Sequence, residues 1–292
     1  MRRRGFTLIE LLVVVALVSL LVTLSVEGLR IVRGQARAVA CAANIRQLST
    51  GLFAYEASYD RFPPGYEIPD PRIGGRNAGS AGFLDAGGWW WFDRIQKMNH
   101  LTRDGYKGLA CPSKRQGHPW LDADILVGNY GANFSVFRSW QYMNFYKPFY
   151  GLPLSLQQIP RPSQTLLLAD SGYSLITWWH VADEPPVEFP TFNSNAEVIP
   201  LGTAQHAAYV PGMSLNRDKA LCLGQAEDAI GGRHPHKTVN VAMADGSVGI
   251  RRPADSLSVE RTGDDQWSNS PLWQPKPDAS VTPTITSTSP TP

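Results

Sequence analysis

The sequence predicts an α+β protein in which a long N-terminal α-helix packs on a head with an antiparallel β-sheet. Three observations lead to this fold class. An apolar run from Phe6 to Val26 continues into an amphipathic segment that reaches about Tyr59. Proline, which breaks helices, is absent before Pro63. Near the C-terminus, two runs rich in β-formers flank an Asp-Gly pair, which is a strong signal for a β-hairpin.

The apolar run has the length of a membrane span. Phe6 to Val26 contains one ionisable side chain, Glu10, and a helix of this length covers roughly 30 Å, the thickness of a bilayer's hydrocarbon core. The run is too long for the core of a secretory signal and no Ala-x-Ala-like site closes it. The arginines at positions 2–4 precede the run. The positive-inside rule therefore predicts a single-pass anchor in the inner (cytoplasmic) membrane, with a cytoplasmic N-terminus and a periplasmic or extracellular head.

Glu10 is energetically unfavourable at this position in a membrane span. An isolated carboxylate in a span costs about 2.5–3.5 kcal/mol, and such residues usually have a partner or a function. Cleavage between Gly5 and Phe6 would create a positive amine four residues from Glu10. The amine of one subunit could then neutralise the Glu10 carboxylate of a neighbour.

The segment Arg4-Gly5-Phe6-Thr7-Leu8-Ile9-Glu10 resembles the prepilin-type signal of type IV pilins and type II secretion pseudopilins. The resemblance implies that a prepilin peptidase cleaves after Gly5 and methylates Phe6. It also implies that Glu10 guides subunits into a filament. The alternative is a single-pass anchor in which Glu10 occurs by chance.

Beyond the span, an apolar stripe with helical spacing predicts the face on which a head is seated. We expect one helix from about Phe6 to about Tyr59, ended by Pro63 and Pro64. The predicted organisation is a leader (1–5), a transmembrane half-helix (6–26), an amphipathic half-helix (27–60), a head (61–265) and a disordered Pro/Ser/Thr-rich tail (266–292). The predicted stripe consists of Ile31, Ala38, Ala42, Ile45, Leu48, Leu52, Tyr55 and Tyr59.

Four segments of the head carry structural predictions. The aromatic run Trp89–Ile95 predicts a short helix or strand packed on the stripe, with sugar or partner binding as the less frequent alternative. Leu109–Ser113 is predicted to end a buried strand, and Ser163–Asp170 to form another. Thr238–Arg251 predicts a hairpin with a type I′ turn at Asp-Gly.

Several of these pieces resemble a narrower family of pilin-like proteins with a C-terminal domain of unassigned function. The matching pieces are Cys41–Leu48, Arg61–Pro64 and Leu109–Ser113. The family's signature is a His, nine residues and Asp-Gly. Here ten residues separate His234 from Asp245 and eight separate His236 from it, so either histidine is a candidate for the family position.

The signature region also contains the best metal candidates. His234, His236, Asp170 and Asp245 could provide imidazole and carboxylate ligands. A structural role is the favoured interpretation, because Asp before Gly most often serves the turn itself, and no metal or other cofactor is predicted. Calcium bound by loop carboxylates, including those of Asp122–Asp124, is the alternative.

The three cysteines predict one disulfide and one free thiol outside the cytoplasm. Pairing of Cys41 with Cys111 is favoured because it would staple the head to the helix. Pairing of Cys111 with Cys222 and three reduced thiols are the alternatives.

Composition argues for a structural role. No nucleophile or phosphate-loop motif is present, so no enzyme is predicted. Nucleic-acid binding is not expected, because Lys and Arg form no basic stripe. We therefore predict a pilin-like or pseudopilin-like structural subunit whose partners are prepilin peptidase, other pilin or pseudopilin subunits and the membrane. The alternative is an anchored extracytoplasmic protein that binds carbohydrate or metal, or an envelope enzyme, delivered by the pilin signal.

Overall fold

A computed structural model describes residues 7–67, 89–98, 108–114, 125–139, 151–178, 181, 209–213, 225–259 and 270–275. The predicted cleavage site at Gly5 and Phe6 lies outside the described residues. So do Asp122–Asp124, Cys222 and residues 276–292.

The first helix, α1, spans Leu8–Tyr59 and contains 52 residues, so it is about 80 Å long. Thr7 caps its N-terminus through a capping box with Glu10. The helix ends at Asp60, whose φ of 55° is left-handed, three residues before Pro63. The predicted single long helix is confirmed.

The two halves of α1 have different surroundings. Its large aliphatic side chains from Leu8 to Val32 are all exposed, whereas the face between Ala38 and Leu52 is buried against the head. Ile31 and Tyr59 were predicted on the seating face, but they are 61% and 55% exposed. The buried residues of α1 are Ala38, Cys41, Ile45, Ser49, Gly51 and Leu52.

The described part of the head contains a two-stranded ribbon, a five-stranded sheet and short helices. The ribbon pairs β1 with β2 antiparallel, and the large sheet has the order β5-β3-β4-β6-β7. The strands are β1 Tyr66–Glu67, β2 Trp89–Trp90, β3 Tyr130–Asn133, β4 Leu166–Asp170, β5 Leu175–Ile176, β6 Val239–Met243 and β7 Val248–Arg251. The helices after α1 are α2 Trp91–Met98, α3 Gln225–Gly231 and α4 Pro253–Ser256.

The predicted α+β class with an antiparallel sheet is confirmed for four of the five strands of the large sheet. The pairs β3–β4, β4–β6 and β6–β7 are antiparallel, whereas β5 runs parallel to β3. After β4 the chain crosses the end of β3 within four residues and adds β5 on the far side. The sheet is therefore mixed at one edge.

The β6–β7 hairpin forms where the sequence predicted it, but its turn is of another type. A type I′ turn needs positive φ at two central residues. Of Asp245 and Gly246, only Gly246 has a positive φ, 84°. The amide of Gly246 donates to the oxygen of Met243 at 3.0 Å. This pattern matches a type I turn followed by a glycine bulge.

Leu109–Ser113 forms turns rather than the end of a strand. The amide of Cys111 donates to the Asn129 side chain at 3.0 Å, and Pro112 has no amide hydrogen to offer a ladder. Side-chain hydrogen bonding thus replaces strand pairing here.

Two hydrophobic clusters lie on the two faces of the sheet. One joins α1 to the aromatic run and buries Trp90, Trp91 and Phe92, so core packing is the role of these rings. The other buries Trp178 and Trp273. Residues 270–275 therefore pack in the head, although the sequence predicted that the head ends at residue 265.

Candidate functional site

The N-terminal turn of α1 holds Glu10 through Thr7. Glu10 Oε2 accepts hydrogen bonds from the backbone amide of Thr7 at 2.9 Å and from its hydroxyl at 2.8 Å. In return, the Glu10 amide donates to the Thr7 hydroxyl at 3.3 Å. A carboxylate in the first helical turn also interacts favourably with the helix dipole. Within one chain, Glu10 thus has a local partner, and its predicted pairing with the Phe6 amine stays a prediction.

The exposed half of α1 forms an apolar rod outside the head. Among the described residues, α1 is the one helix that is long and apolar enough to cross a membrane, and its apolar window is not buried by the rest of the chain. A bare aliphatic surface of this length is unfavourable in water. It requires lipid or other helices around it.

A disulfide ties the other half of α1 to the head. Cys41 lies on the buried face of α1, and Cys111 lies in the turn at 108–114. The two residues are disulfide-bonded, with their Cα atoms 5.5 Å apart. Both are buried.

Next to this disulfide lies a buried polar cluster formed by Asp170, His234 and Asn240. Asp170 ends β4, Asn240 lies in β6, and His234 precedes the 3-10 turn Pro235–Lys237. Asp170 Oδ2 lies 3.0 Å from His234 Nε2. It accepts from the Asn240 backbone amide at 2.6 Å and from the Asn240 side-chain amide at 3.1 Å. All three of these contacts are made by Oδ2, one of the two carboxylate oxygens of Asp170.

The same three side chains each retain one buried atom without a hydrogen-bond partner in the described part of the chain. These atoms are Asp170 Oδ1, His234 Nδ1 and Asn240 Oδ1. The side chains of Asp170 and His234 are 0% and 1% exposed. Unpartnered buried polar atoms are uncommon and costly, and three of those in the described residues lie in this one cluster.

The cluster and the two cysteines form one group. One ligand-type atom from each of Cys41, Cys111, Asp170 and His234 lies within 4.8 Å of every other. The four residues come from α1, the 108–114 turn, the end of β4 and the segment before β6. The fold therefore brings together residues that are far apart in the sequence: Cys41 and His234 are separated by 193 positions.

An ion pair supports this group from one side. Arg233 is buried and donates through Nε and Nη2 to the carboxylate of Asp228, at 3.1 and 2.6 Å. Burial alone would lower the pKa of Arg233, but Asp228 outweighs it and raises the pKa above its ordinary value. Arg233 also donates to the backbone oxygens of Asn129 and Ser171, at 2.9 and 3.0 Å. The permanent charge of Arg233 thus holds the loop that carries His234.

A tyrosine lies between the cluster and α1. Asn44 of α1 donates to the hydroxyl of Tyr130 at 3.1 Å. Burial raises the pKa of Tyr130, and the Asp170 carboxylate raises it further. Tyr130 therefore stays protonated in the folded protein.

The structure does not bring the other two candidate ligands into this group. His236 is exposed and has a left-handed φ of 59°. Asp245 is exposed in the hairpin turn, where hydrogen bonds from Ser247 lower its pKa. Asp245 thus serves the turn, and of the two histidines in the signature only His234 is buried.

Sequence reasoning singled out Asp170 and His234 but did not connect them with the cysteines. It also missed Asn240, which lies at an ordinary polar position of a predicted strand. The sequence did contain a sign of its role: Asn240 is the one polar residue in the otherwise apolar strand β6, whose residues are all buried.

Comparison with known protein families gives two matches, one to the apolar N-terminal segment and one to the segment that follows it. Residues 1–26 match the family model described as prokaryotic N-terminal methylation motif. Residues 31–118 match the one described as protein of unknown function (DUF1559). No curated protein and no solved structure matches the chain.

The apolar helix and the matched motif support a class of protein: a pilin-like, membrane-anchored one. More particularly, the chain combines a prepilin-type N-terminal methylation motif with a DUF1559 domain, a combination typical of pilin-like proteins. The second match ends at residue 118, before Asp170 and His234. The buried group therefore lies half inside and half outside the matched region.

Proposed function

We propose that this protein is a structural subunit of a type IV pilus or a type II secretion pseudopilus. Prepilin peptidase cleaves it after Gly5 and methylates Phe6. The subunit waits in the inner membrane with its head outside the cytoplasm, and it then joins other subunits through α1.

The exposed apolar half of α1 is the observation that carries this proposal. From Leu8 to Val32 the large aliphatic side chains of the helix are exposed, while the disulfide and the core fix its other half to the head. A rigid rod held in this way can exchange lipid for neighbouring rods without any change in the head. Assembly then buries the same apolar surface against protein.

Glu10 gives this assembly its register. In the single chain, Thr7 satisfies one oxygen of the carboxylate, but the negative charge remains in an apolar segment. The amine of Phe6 from a neighbouring subunit would neutralise it. A pair of opposite charges in a low-dielectric surrounding is stable only at close range, so one axial position between neighbours is preferred.

Replacement of Glu10 by alanine tests the proposal, with Glu27→Ala as the matched control. Glu27 lies on the same helix, is exposed and pairs with Arg30 in its own chain at 2.9 Å. We expect both variants to be cleaved and methylated, as measured by mass spectrometry of the mature N-terminus. Only Glu10→Ala should lose incorporation, measured as subunit in sheared filaments or in cross-linked oligomers at the membrane. Normal incorporation of Glu10→Ala would refute the assembly role.

A further inference from the structure

We propose that the end of the head nearer the apolar run, together with the adjoining turns of α1, docks on the headgroups of anionic phospholipids. The proposal rests on the membrane anchoring in the proposed function, but not on assembly into a filament. We call this surface the basic end. Its cationic residues, all exposed, are Arg30, Arg33, Arg37, Lys237, Arg251 and Arg252.

Arg30, Arg33 and Arg37 follow the apolar run of α1. Along the helix axis they lie about 6, 10 and 16 Å beyond Val26. The headgroup region adds roughly 5–8 Å on each side of the hydrocarbon core, and long cationic side chains extend along the helix to reach it. Their i, i+3 and i+7 spacing places them on one face. This face of α1 therefore presents its positive charge close to the lipid phosphates.

The 3-10 turn before β6 is the part of the head beside these arginines. A Cβ added to Gly34 would meet Pro235 Cγ at 3.5 Å, so the turn Pro235–Lys237 packs at the level of Gly34. This level is about 12 Å beyond Val26. Lys237 is exposed at the end of the turn and therefore adds a cation to the basic end.

The β6–β7 hairpin brings two further arginines to this level. β6 starts beside Ala38, whose oxygen accepts from the Asn240 side chain at 3.4 Å. The hairpin turn lies further along α1, because a Cβ added to Gly246 would meet the Phe53 ring at 3.4 Å. β7 then returns antiparallel, and its last residue, Arg251, is opposite the first residue of β6. Arg251 and the arginine after it thus lie at the end of the head nearer the apolar run.

The carboxylates near the basic end do not balance these charges. In the described part of the chain, Glu27 lies 2.9 Å from Arg30 and Asp255 lies 3.8 Å from Arg252. The other four cations form no ion pair with any described residue. Glu227, in the helix that leads towards the turn, is the third exposed carboxylate of these segments. The basic end therefore keeps an excess of positive charge.

Two exposed isoleucines lie at the same end. Ile230 and Ile250 are 55% and 54% exposed, and they are two of the three large aliphatic side chains exposed on the described part of the head. Ile250 is opposite Asn240 in β6, so both face the side of the sheet that α1 covers. Ile230 lies two residues before Gly232, where an added Cβ would meet Lys237 Cα at 2.9 Å. Cations beside exposed aliphatic side chains are typical of surfaces that bind an anionic membrane.

Position favours lipid over a neighbouring subunit as the occupant. The basic end adjoins the membrane that the apolar half of α1 enters, so headgroups are present without any encounter between proteins. Each cation near an anionic leaflet favours contact by about fivefold. Several such cations together hold the head against the membrane surface.

Fluorescence quenching in nanodiscs tests this proposal on the full-length, disulfide-bonded protein with Cys222→Ser. A bimane is attached at Ala254→Cys, an exposed position of α4 close to the basic end. The discs contain phosphatidylcholine with or without phosphatidylglycerol, and a lipid with a nitroxide on its headgroup. We expect stronger quenching in the anionic discs, and its loss in 1 M salt, where the screening length falls to about 3 Å. A bimane at Ala57→Cys, about 46 Å beyond Val26, should remain unquenched in both.

A charge-neutral variant of the basic end makes the test specific. Its substitutions are Lys237→Gln, Arg251→Gln and Arg252→Gln. The ratio of docked to undocked heads in anionic discs should fall roughly hundredfold, so quenching should drop to its value in phosphatidylcholine. The matched control loses the same charge elsewhere and should keep its quenching. Its substitutions are Arg46→Gln, Arg61→Gln and Arg161→Gln. Near-ultraviolet circular dichroism monitors the fold of both variants.

Three results would overturn the proposal. They are equal quenching in anionic and neutral discs, quenching that salt does not change, and equal quenching in the basic-end variant and its control. The first two need no substitution, so they decide the matter even where a variant does not fold. A basic-end variant that keeps its quenching but no longer joins filaments would assign the surface to a neighbouring subunit instead. Glu10→Ala tests assembly separately.

Discussion

The indole N–H of Trp273 donates to the backbone oxygen of Leu257 at 2.8 Å, and the Trp273 ring is completely buried. The backbone oxygen of Trp273 accepts from the Asn133 side chain at 3.0 Å. A residue close to the C-terminal end of the described chain thus closes the core on the face of the sheet opposite α1.

Trp273→Ala should therefore destabilise the head by about 3–5 kcal/mol, because it removes a large buried ring and leaves a cavity. Denaturant unfolding of the detergent-solubilised protein measures this change. A chain that ends after Pro275 is the control, since it keeps every described contact of Trp273. A Trp273→Ala variant that is as stable as this control would contradict the role of the ring.

The buried ion pair between Arg233 and Asp228 is expected to be intolerant of substitution. Asp228→Asn should cost about 3–5 kcal/mol, because it leaves the buried guanidinium without its counter-charge. The exposed pair between Arg252 and Asp255, at 3.8 Å, provides the control. Asp255→Asn should change the free energy of unfolding by less than about 1 kcal/mol. Comparable effects of the two substitutions would contradict the role of burial.

The disulfide should contribute strongly to stability. It joins residues separated by 70 positions, for which the loop-entropy model gives about 4 kcal/mol. Cys41→Ser should lower the free energy of unfolding of the oxidised protein by an amount of this order and slow its migration on non-reducing gels. Cys222→Ser should do neither. A stabilisation that disappears in Cys222→Ser would instead point to the alternative pairing.

The hairpin turn should depend on Gly246. Its φ of 84° is left-handed, so Gly246→Ala should cost about 1–2 kcal/mol in backbone strain. Gly249 lies in β7 without a positive φ, and an added Cβ there would meet nothing closer than 3.9 Å. Gly249→Ala should therefore change stability by less than about 1 kcal/mol. Thermal unfolding of the two variants side by side makes the comparison, and equal melting temperatures would refute the strain argument.

Local sequence patterns predicted much of this fold. Propensity, periodicity and proline account for three features: the end of α1 at Asp60, shortly before Pro63, the hairpin around Asp245 and Gly246, and the packing of the aromatic run. The turn type was missed because Asp-Gly is compatible with more than one turn, and only the backbone angles separate them. Leu109–Ser113 was predicted to end a strand because it contains apolar residues before a proline, but Leu109 and Cys111 are buried in turns instead.

By itself, the sequence determined the long N-terminal helix, its apolar surface and the position of Glu10, because helical spacing and hydrophobicity act between residues a few positions apart. Only the tertiary structure decided which polar residues meet. The side-chain amide of Asn240 reaches the backbone oxygen of Ala38, 202 positions away, at 3.4 Å, and His234 reaches Asp170 only because β6 pairs with β4. Strand order sets such distant contacts, and no local pattern encodes strand order.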